Sequence, residues 1–214
     1  MHLRFILSIS FILCFSFAAD IDETIIFPDR PEFRSDKIIT LPDGTAFHLD
    51  IRSREAAAVL PDGEIRFTGG FGNGYGHFME PVDITSDGVS VFVCDRAGNA
   101  IIQLTRRLEV VKAFSFNQSG FSEPMFPSSV SASQNGYVAV LSEDRRLVLV
   151  KQPQEDLWTI VADLDRQPVS IPCPETVRFT SLHSIVITSS CSKTEYTFSL
   201  FGRLLSARLI TGGD

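Results

Sequence analysis

Residues 69–104, GGFGNGYGHFMEPVDITSDGVSVFVCDRAGNAIIQL, carry in one run the pattern that the rest of the chain repeats less clearly. A loop with glycine at 70, 72, 74 and 76 ends in Glu80-Pro81, and a short apolar run leads to the turn Ser86-Asp87-Gly88. An alternating segment over 89–94, a second turn over 95–99 and another alternating segment over 100–104 follow. Asp-Gly between two alternating segments is a strong hairpin signal, because glycine accepts the positive φ that a tight hairpin turn demands. The stretch therefore reads as a β-meander.

Working outward, the same punctuation recurs. The turns Asp43-Gly44, Asp87-Gly88 and Asn135-Gly136 each sit between an apolar run and an alternating strand. Pro81, Pro127 and Pro174 each precede a first strand, over 82–85, 128–132 and 175–180. Second strands are expected over 45–50, 89–94, 137–141 and 184–189, third strands over 56–60, 100–104, 147–151 and 194–200, and fourth strands over 64–68, 109–116, 157–162 and 204–210. Four strands in about 45 residues is the blade of a β-propeller. The expected fold is all-β, about four four-stranded blades over residues 36–214, with a two-sheet β-sandwich as the alternative architecture. The nearest thing to a helical period, over 53–60, falls at a strand position of the repeat.

Within the quoted stretch, FGNGYGHFMEPVDI, SDG and VFVCDRAGNAII resemble an NHL repeat. That blade family runs from a glycine-rich loop through x-Pro, strand, Asp-Gly and strand to Asp and Asn-x-Arg-Ile. The likeness covers residues 71–104, with Ile101 where the family places arginine. It implies an NHL-like propeller whose loops carry the function. Four blades allow a closed ring, an open arc, or two chains that complete one another. An arc would leave sheet edges that invite a partner strand or a homo-oligomer.

Ahead of the blades, residues 1–18 read as a secretory signal. His2 and Arg4 precede an apolar run over 5–17, and Ser16 and Ala18 suit a cleavage site. That run is shorter than the ~20 residues a membrane span requires, and no later segment is long and apolar enough. A lipoprotein reading through Cys14 is weakened by Leu13, where a small residue is wanted. Residues 19–35, acidic and proline-bearing, read as an arm or linker, with one strand-like fragment over 24–27 able to cover a blade edge. The net charge of −7 opposes a phosphate-backbone partner, so nucleic acid is not expected.

The glycine loop lacks the Gly-Lys-Ser/Thr ending and the following helix of a phosphate cradle, and reads as an inter-blade connection. His48, His77 and His183 are spaced too widely for a local metal signature. Asp83, Ser129 and Glu175, with Val82, Ser128 and Thr176 beside them, are expected to line the central channel. Two carboxylates with hydroxyls form a donor set that would suit Ca²⁺, but a solvated channel lined by small polar side chains is the favoured reading, and no cofactor is expected. No Ser-His-Asp order, nucleophile elbow or zincin helix is present.

The functional expectation is an exported, non-enzymatic binding or scaffold module that engages a protein or extracellular ligand through its loops. The alternative is a small extracytoplasmic hydrolase or lyase with a metal in the channel. A third reading is a truncated member of a longer propeller family that acts only as an assembly.

In an exported chain, cysteines are free to pair. Counting outward from Leu182 in the last hairpin places Thr180 opposite Ser184, Phe179 opposite Ile185 and Cys173 opposite Cys191. A disulfide is expected there, with Cys94 as a buried free thiol.

Overall fold

The computed structural model describes residue 27 and residues 29–72, 74–181 and 184–210. Sixteen strands form four antiparallel sheets, each built from four consecutive strands in chain order. The first blade is β1 (Lys37–Thr40), β2 (Ala46–Asp50), β3 (Glu55–Val59) and β4 (Ile65–Gly69). The second is β5 (Pro81–Ser86), β6 (Ser90–Asp95), β7 (Ala100–Thr105) and β8 (Val110–Ser115). The third comprises β9 (Ser129–Ala132), β10 (Val138–Ser142), β11 (Leu147–Lys151) and β12 (Trp158–Asp163), and the fourth β13 (Pro174–Ser181), β14 (Ser184–Ser189), β15 (Thr194–Ser199) and β16 (Leu204–Leu209). This is an all-β propeller of four blades, as the repeat predicts. The stretch with a weak helical period is β3, and among the described residues helix is confined to the 3₁₀ turns Phe116–Gln118 and Leu164–Arg166.

Position within a blade explains composition. Second strands lie between other strands and between other blades, so they are buried on both faces and read as apolar runs, for example VFVC in β6 and VAVL in β10. Fourth strands are outer edges, mostly exposed, and carry Arg66, Lys112 and Arg208, which discourage edge-to-edge pairing. The turn into each third strand needs one residue in the left-handed region, taken by Arg54, Asn99, Arg146 and Lys193.

A buried polar side chain closes each second strand, at Asp50, Asp95, Ser142 and Ser189. It ties the segment entering the blade to the turn between the second and third strands. Asp95 accepts from the N–H groups of Met79 (2.8 Å), Glu80 (2.7 Å) and Gly98 (3.1 Å). Asp50 does the same for Arg34, Arg52 and Ser53. In the last two blades a serine does this with its hydroxyl. Ser142 donates to the Met125 carbonyl and accepts from Arg145 N–H, and Ser189 donates to the Pro172 carbonyl and accepts from Ser192 N–H.

Apolar cores fill the spaces between successive blades. Leu49, Ala56 and Phe47 meet Val91 and Leu104, Ile101 and Phe116 meet Val140 and Leu149, and Leu141 and Val148 meet Ile187 and Phe198. Among the described residues no such core joins the fourth blade to the first, and no strand of one end enters the sheet of the other. Among the described residues the blades thus run as an arc with two ends. At the first end Phe27 and Phe33 cover Ala57, Val59 and Phe67. Phe27 meets the blade by packing and is not itself in a strand. The rest of the strand expected over 24–27 lies outside the described residues, as do the leader and His183. Among the described residues no helix is long and apolar enough to cross a membrane.

The cysteine expectation holds. Cys173 and Cys191 form a disulfide with a Cα separation of 5.6 Å, and Cys94 is a buried free thiol. The predicted pair Phe179–Ile185 is present, while the register shifts next to Pro174 and Ser181. Burial pushes the Cys94 thiol well up from its usual pKa.

Candidate functional site

The residues expected to line a channel divide in the structure. Asp83 and Ser129 are brought together: Ser129 Oγ donates to Asp83 Oδ2 at 2.8 Å, and Val130 N–H donates to the same oxygen at 2.9 Å. Ser129 Oγ in turn accepts from Val177 N–H at 3.2 Å, and Ser131 Oγ accepts from Phe179 N–H at 3.1 Å. Thr85 Oγ1 accepts from Ala132 N–H at 3.4 Å. The physical reason is that a first strand has only one neighbour in its own sheet, so N–H groups on its other edge need acceptors. The polar side chains of the preceding blade supply them.

The other candidates go elsewhere. Ser128 donates to the Leu141 carbonyl and accepts from Glu143 N–H within its own blade. Val82 packs into the core between the second and third blades. Glu175 is exposed at the register shift in β13, and among the described residues no hydrogen bond or ion pair joins it to Asp83 or Ser129. Asp83 Oδ1 lies 3.9 Å from Lys37 Nζ of the first blade. Among the described residues no three His, Cys, Asp or Glu side chains converge in a metal-binding group.

The histidines separate as their repeat positions imply. His48 lies on β2 and is fully buried, with Nδ1 2.9 Å from Ser35 Oγ and Nε2 without a partner among the described residues; burial lowers its pKa. His77 sits in the glycine loop, where a Cβ at Gly72 would lie 3.1 Å from its ring. Those glycines therefore serve close packing of an inter-blade connection.

The chemically distinctive place is a cleft of about 240 Å³ between the second and third blades, which sequence reasoning missed. Phe92, Gln103, Lys112 and Phe114 form one wall, and Val138, Lys151 and the segment 153–156 the other. Lys151 is only 5% exposed. Its ammonium lies 4.8 Å from the centre of the Phe114 ring, and that of Lys112 lies 5.2 Å from the same ring. Lys112 is paired with Asp156 at 2.6 Å, and this hydrogen bond holds the Asp156 carboxyl below the usual range. Lys151 has no such partner. Among the described residues its one hydrogen bond is to the Gln152 carbonyl, 2.9 Å away, and burial lowers its pKa.

Strand register shows how unusual that lysine is. It pairs with Val138, just as Val59 pairs with Ala46, Leu104 with Val91, and Phe198 with Ile185. Three blades place an apolar side chain where the third places an ammonium. Superimposing the four third strands of the sequence would have revealed this substitution. Across the strand from Lys151 stands Trp158, whose buried Nε1–H has no acceptor among the described residues and whose ring lies 5.0 Å from that of Phe116.

Comparison with known proteins supports the architecture. No protein-family model matches the chain, and no curated protein sequence matches it. Several solved β-propellers do. Virginiamycin B lyase from Staphylococcus aureus aligns with a TM-score of 0.63 at 14% identity, covering 87% of this chain and 59% of that one. A chain of the nidogen/laminin complex gives 0.58 at 11% identity, covering 78% and 59%. U3-55K gives 0.59 at 15% identity, covering 82% and 52%. The chain thus spans between half and three-fifths of the length of these structures. At such identities the likeness establishes a propeller and does not single out the NHL type.

Proposed function

We propose that this protein is an exported, non-enzymatic binding module whose NHL-like blades present ligand-contacting surfaces on a rigid arc. The observation that carries this reading is the use made of Asp83 and Ser129. Side chains that in a channel enzyme would face a metal or substrate instead satisfy N–H groups between blades. The polar chemistry left over lies in the outer cleft around Lys151 and in the loops. Export is supported by the leader-like start of the sequence and by the Cys173–Cys191 disulfide, a bond favoured in oxidising compartments. A protein partner is consistent with the presence of a complex-forming propeller among the similar structures.

Metal analysis of the purified protein, together with capture from the native envelope, tests the reading. The expected result is a metal-free chain that retains a partner. Stoichiometric Ca²⁺ or Zn²⁺ lost on substituting Asp83 would instead favour a channel hydrolase or lyase.

A further inference from the structure

We infer that the cleft between the second and third blades is a binding site for a monocarboxylate with a compact apolar body, its carboxylate seated on Lys151. This deepens the binding-module reading and rests on it.

Three observations converge. First, the fold does not require a lysine here, since Val59, Leu104 and Phe198 stand at the same register position in the other blades. A charge at a core position is costly unless something compensates it. Second, the compensation available within the chain is incomplete. The Phe114 ring and the Gln152 carbonyl face an ammonium that has three protons to donate, and the nearby Asp156 is engaged by Lys112. Third, Lys151 lines a cavity open to ligand, and a carboxylate placed against its ammonium would gain a charge-assisted hydrogen bond in partly desolvated surroundings.

The walls narrow the ligand class. With Asp156 held by Lys112, Asp87 and Glu155 in the lining repel each added negative charge, which argues for one rather than the two of a phosphate. Phe92, Val138 and Pro153 supply apolar surface for the attached body. At about 240 Å³ the cleft is smaller than the ~300–1,000 Å³ of drug-sized sites, so a single ring or a short branched chain fits. Such a group arises either as a free small acid or as the C-terminus of a peptide ending in an apolar residue.

The test is a calorimetric and NMR titration of the full chain with 3-phenylpropionate, its neutral amide, inorganic phosphate, and the peptide Gly-Gly-Phe with a free or amidated end. Saturable binding of the free acid, at least tenfold weaker binding of the amide, and shifts at Phe114 and Val138 are expected. Lys151→Met, apolar like its counterparts, should keep the fold and lose at least tenfold in affinity. Tighter binding of free-ended Gly-Gly-Phe than of phenylpropionate would assign the source as a peptide terminus, and the reverse order a free acid. Equal binding of acid and amide, tighter binding of phosphate, undiminished affinity in Lys151→Met, or shifts confined to other blades would overturn the inference. Should Lys151→Met fail to fold, the acid-amide difference and the shift map on the unsubstituted protein decide alone. A silent titration with a metal-free protein that retains its partner would sink the ligand class and leave the module reading standing. Channel-bound metal would overturn that reading while the cleft titration stood on its own result.

Discussion

The two ends of the arc meet solvent in opposite ways. The outward face of the first blade is apolar, with Ala57, Val59 and Phe67 beneath Phe27 and Phe33 of the arm. The aromatic rings meet edge to face at 4.8 Å between Phe27 and Phe33 and 5.4 Å between Phe27 and Phe67. The outward face of the fourth blade follows the alternate register line, through Thr176, Thr188, Glu195 and Arg208 and through Arg178, Thr197 and Ser206. Only Val186 is both apolar and buried on those lines. Arg178 is paired with Glu195 across this face at 2.6 Å. In a stack of repeats each unit buries its faces on its neighbours, and the terminal units need a polar face or a cap. This chain uses a separate segment at one end and composition at the other. An end closed by an added segment depends on that segment staying docked, whereas an end closed by composition does not.

The contrast can be broken most directly at the arm. Phe27→Ala or Phe33→Ala removes a buried ring and should cost about 3 kcal/mol in urea denaturation, with mass in light scattering rising with concentration as the apolar face opens. Arg178→Ala at the other end should cost less than about 1 kcal/mol and leave mass unchanged. Equal costs at the two ends would dissolve the distinction.

Close behind in size is the covalent link at the polar end. Replacing Cys173 and Cys191 by serine should cost about 3 kcal/mol in the chain-entropy picture, the bridge spanning a sequence separation of 18. Thiol titration of the denatured, unreduced chain from Ala19 onward should find one reactive group, Cys94; three would refute the bridge.

Between the ends, Asp83→Asn should cost about 1–3 kcal/mol, because a neutral amide oxygen accepts from Ser129 Oγ and Val130 N–H more weakly than a carboxylate, and the amide NH₂ would face the Ile84 N–H and the Lys37 ammonium. Ser131→Ala, which removes a single acceptor for Phe179 N–H, should cost about 1 kcal/mol. Equal melting temperatures for Asp83→Asn and the unsubstituted protein would show that the inter-blade bonds are dispensable.

The smallest effect expected is the pH response of the arm end. Burial lowers the pKa of His48, so the unfolded chain takes up its proton first as pH falls. The resulting stability is full above the unfolded value of about 6.5 and declines as pH drops below it. Melting followed from neutral to mildly acidic pH should show a decline that His48→Leu reduces. An unchanged slope in that variant would clear His48 of the effect.

Much of the blade pattern was legible because its signals are local. Asp43-Gly44, Asp87-Gly88 and Asn135-Gly136 all close hairpins with the glycine at positive φ, at +87°, +93° and +80°. The pairing of Cys173 with Cys191 followed from counting one hairpin, even though the register shifts within it. The roles of Asp83, Glu175 and Lys151 were not legible in the same way. Asp83 was expected to face a channel, and its carboxylate serves a serine and an N–H one blade later in the chain. Glu175 was expected to line the same channel from another blade and lies exposed on β13, with β9 packed between the two first strands.

By itself, then, the sequence determined the strands, the turns, their grouping into four units and the last hairpin's disulfide. These depend on residue periodicity and backbone conformation within a few residues. Only the tertiary structure decided that the units form an arc, that Phe27 and Phe33 close one end, and that Asp83 is a link between blades. It also decided that Lys151 stands in a cleft. Those outcomes depend on which atoms of separate blades come within hydrogen-bonding or packing distance, and that is set by how whole sheets twist and stack.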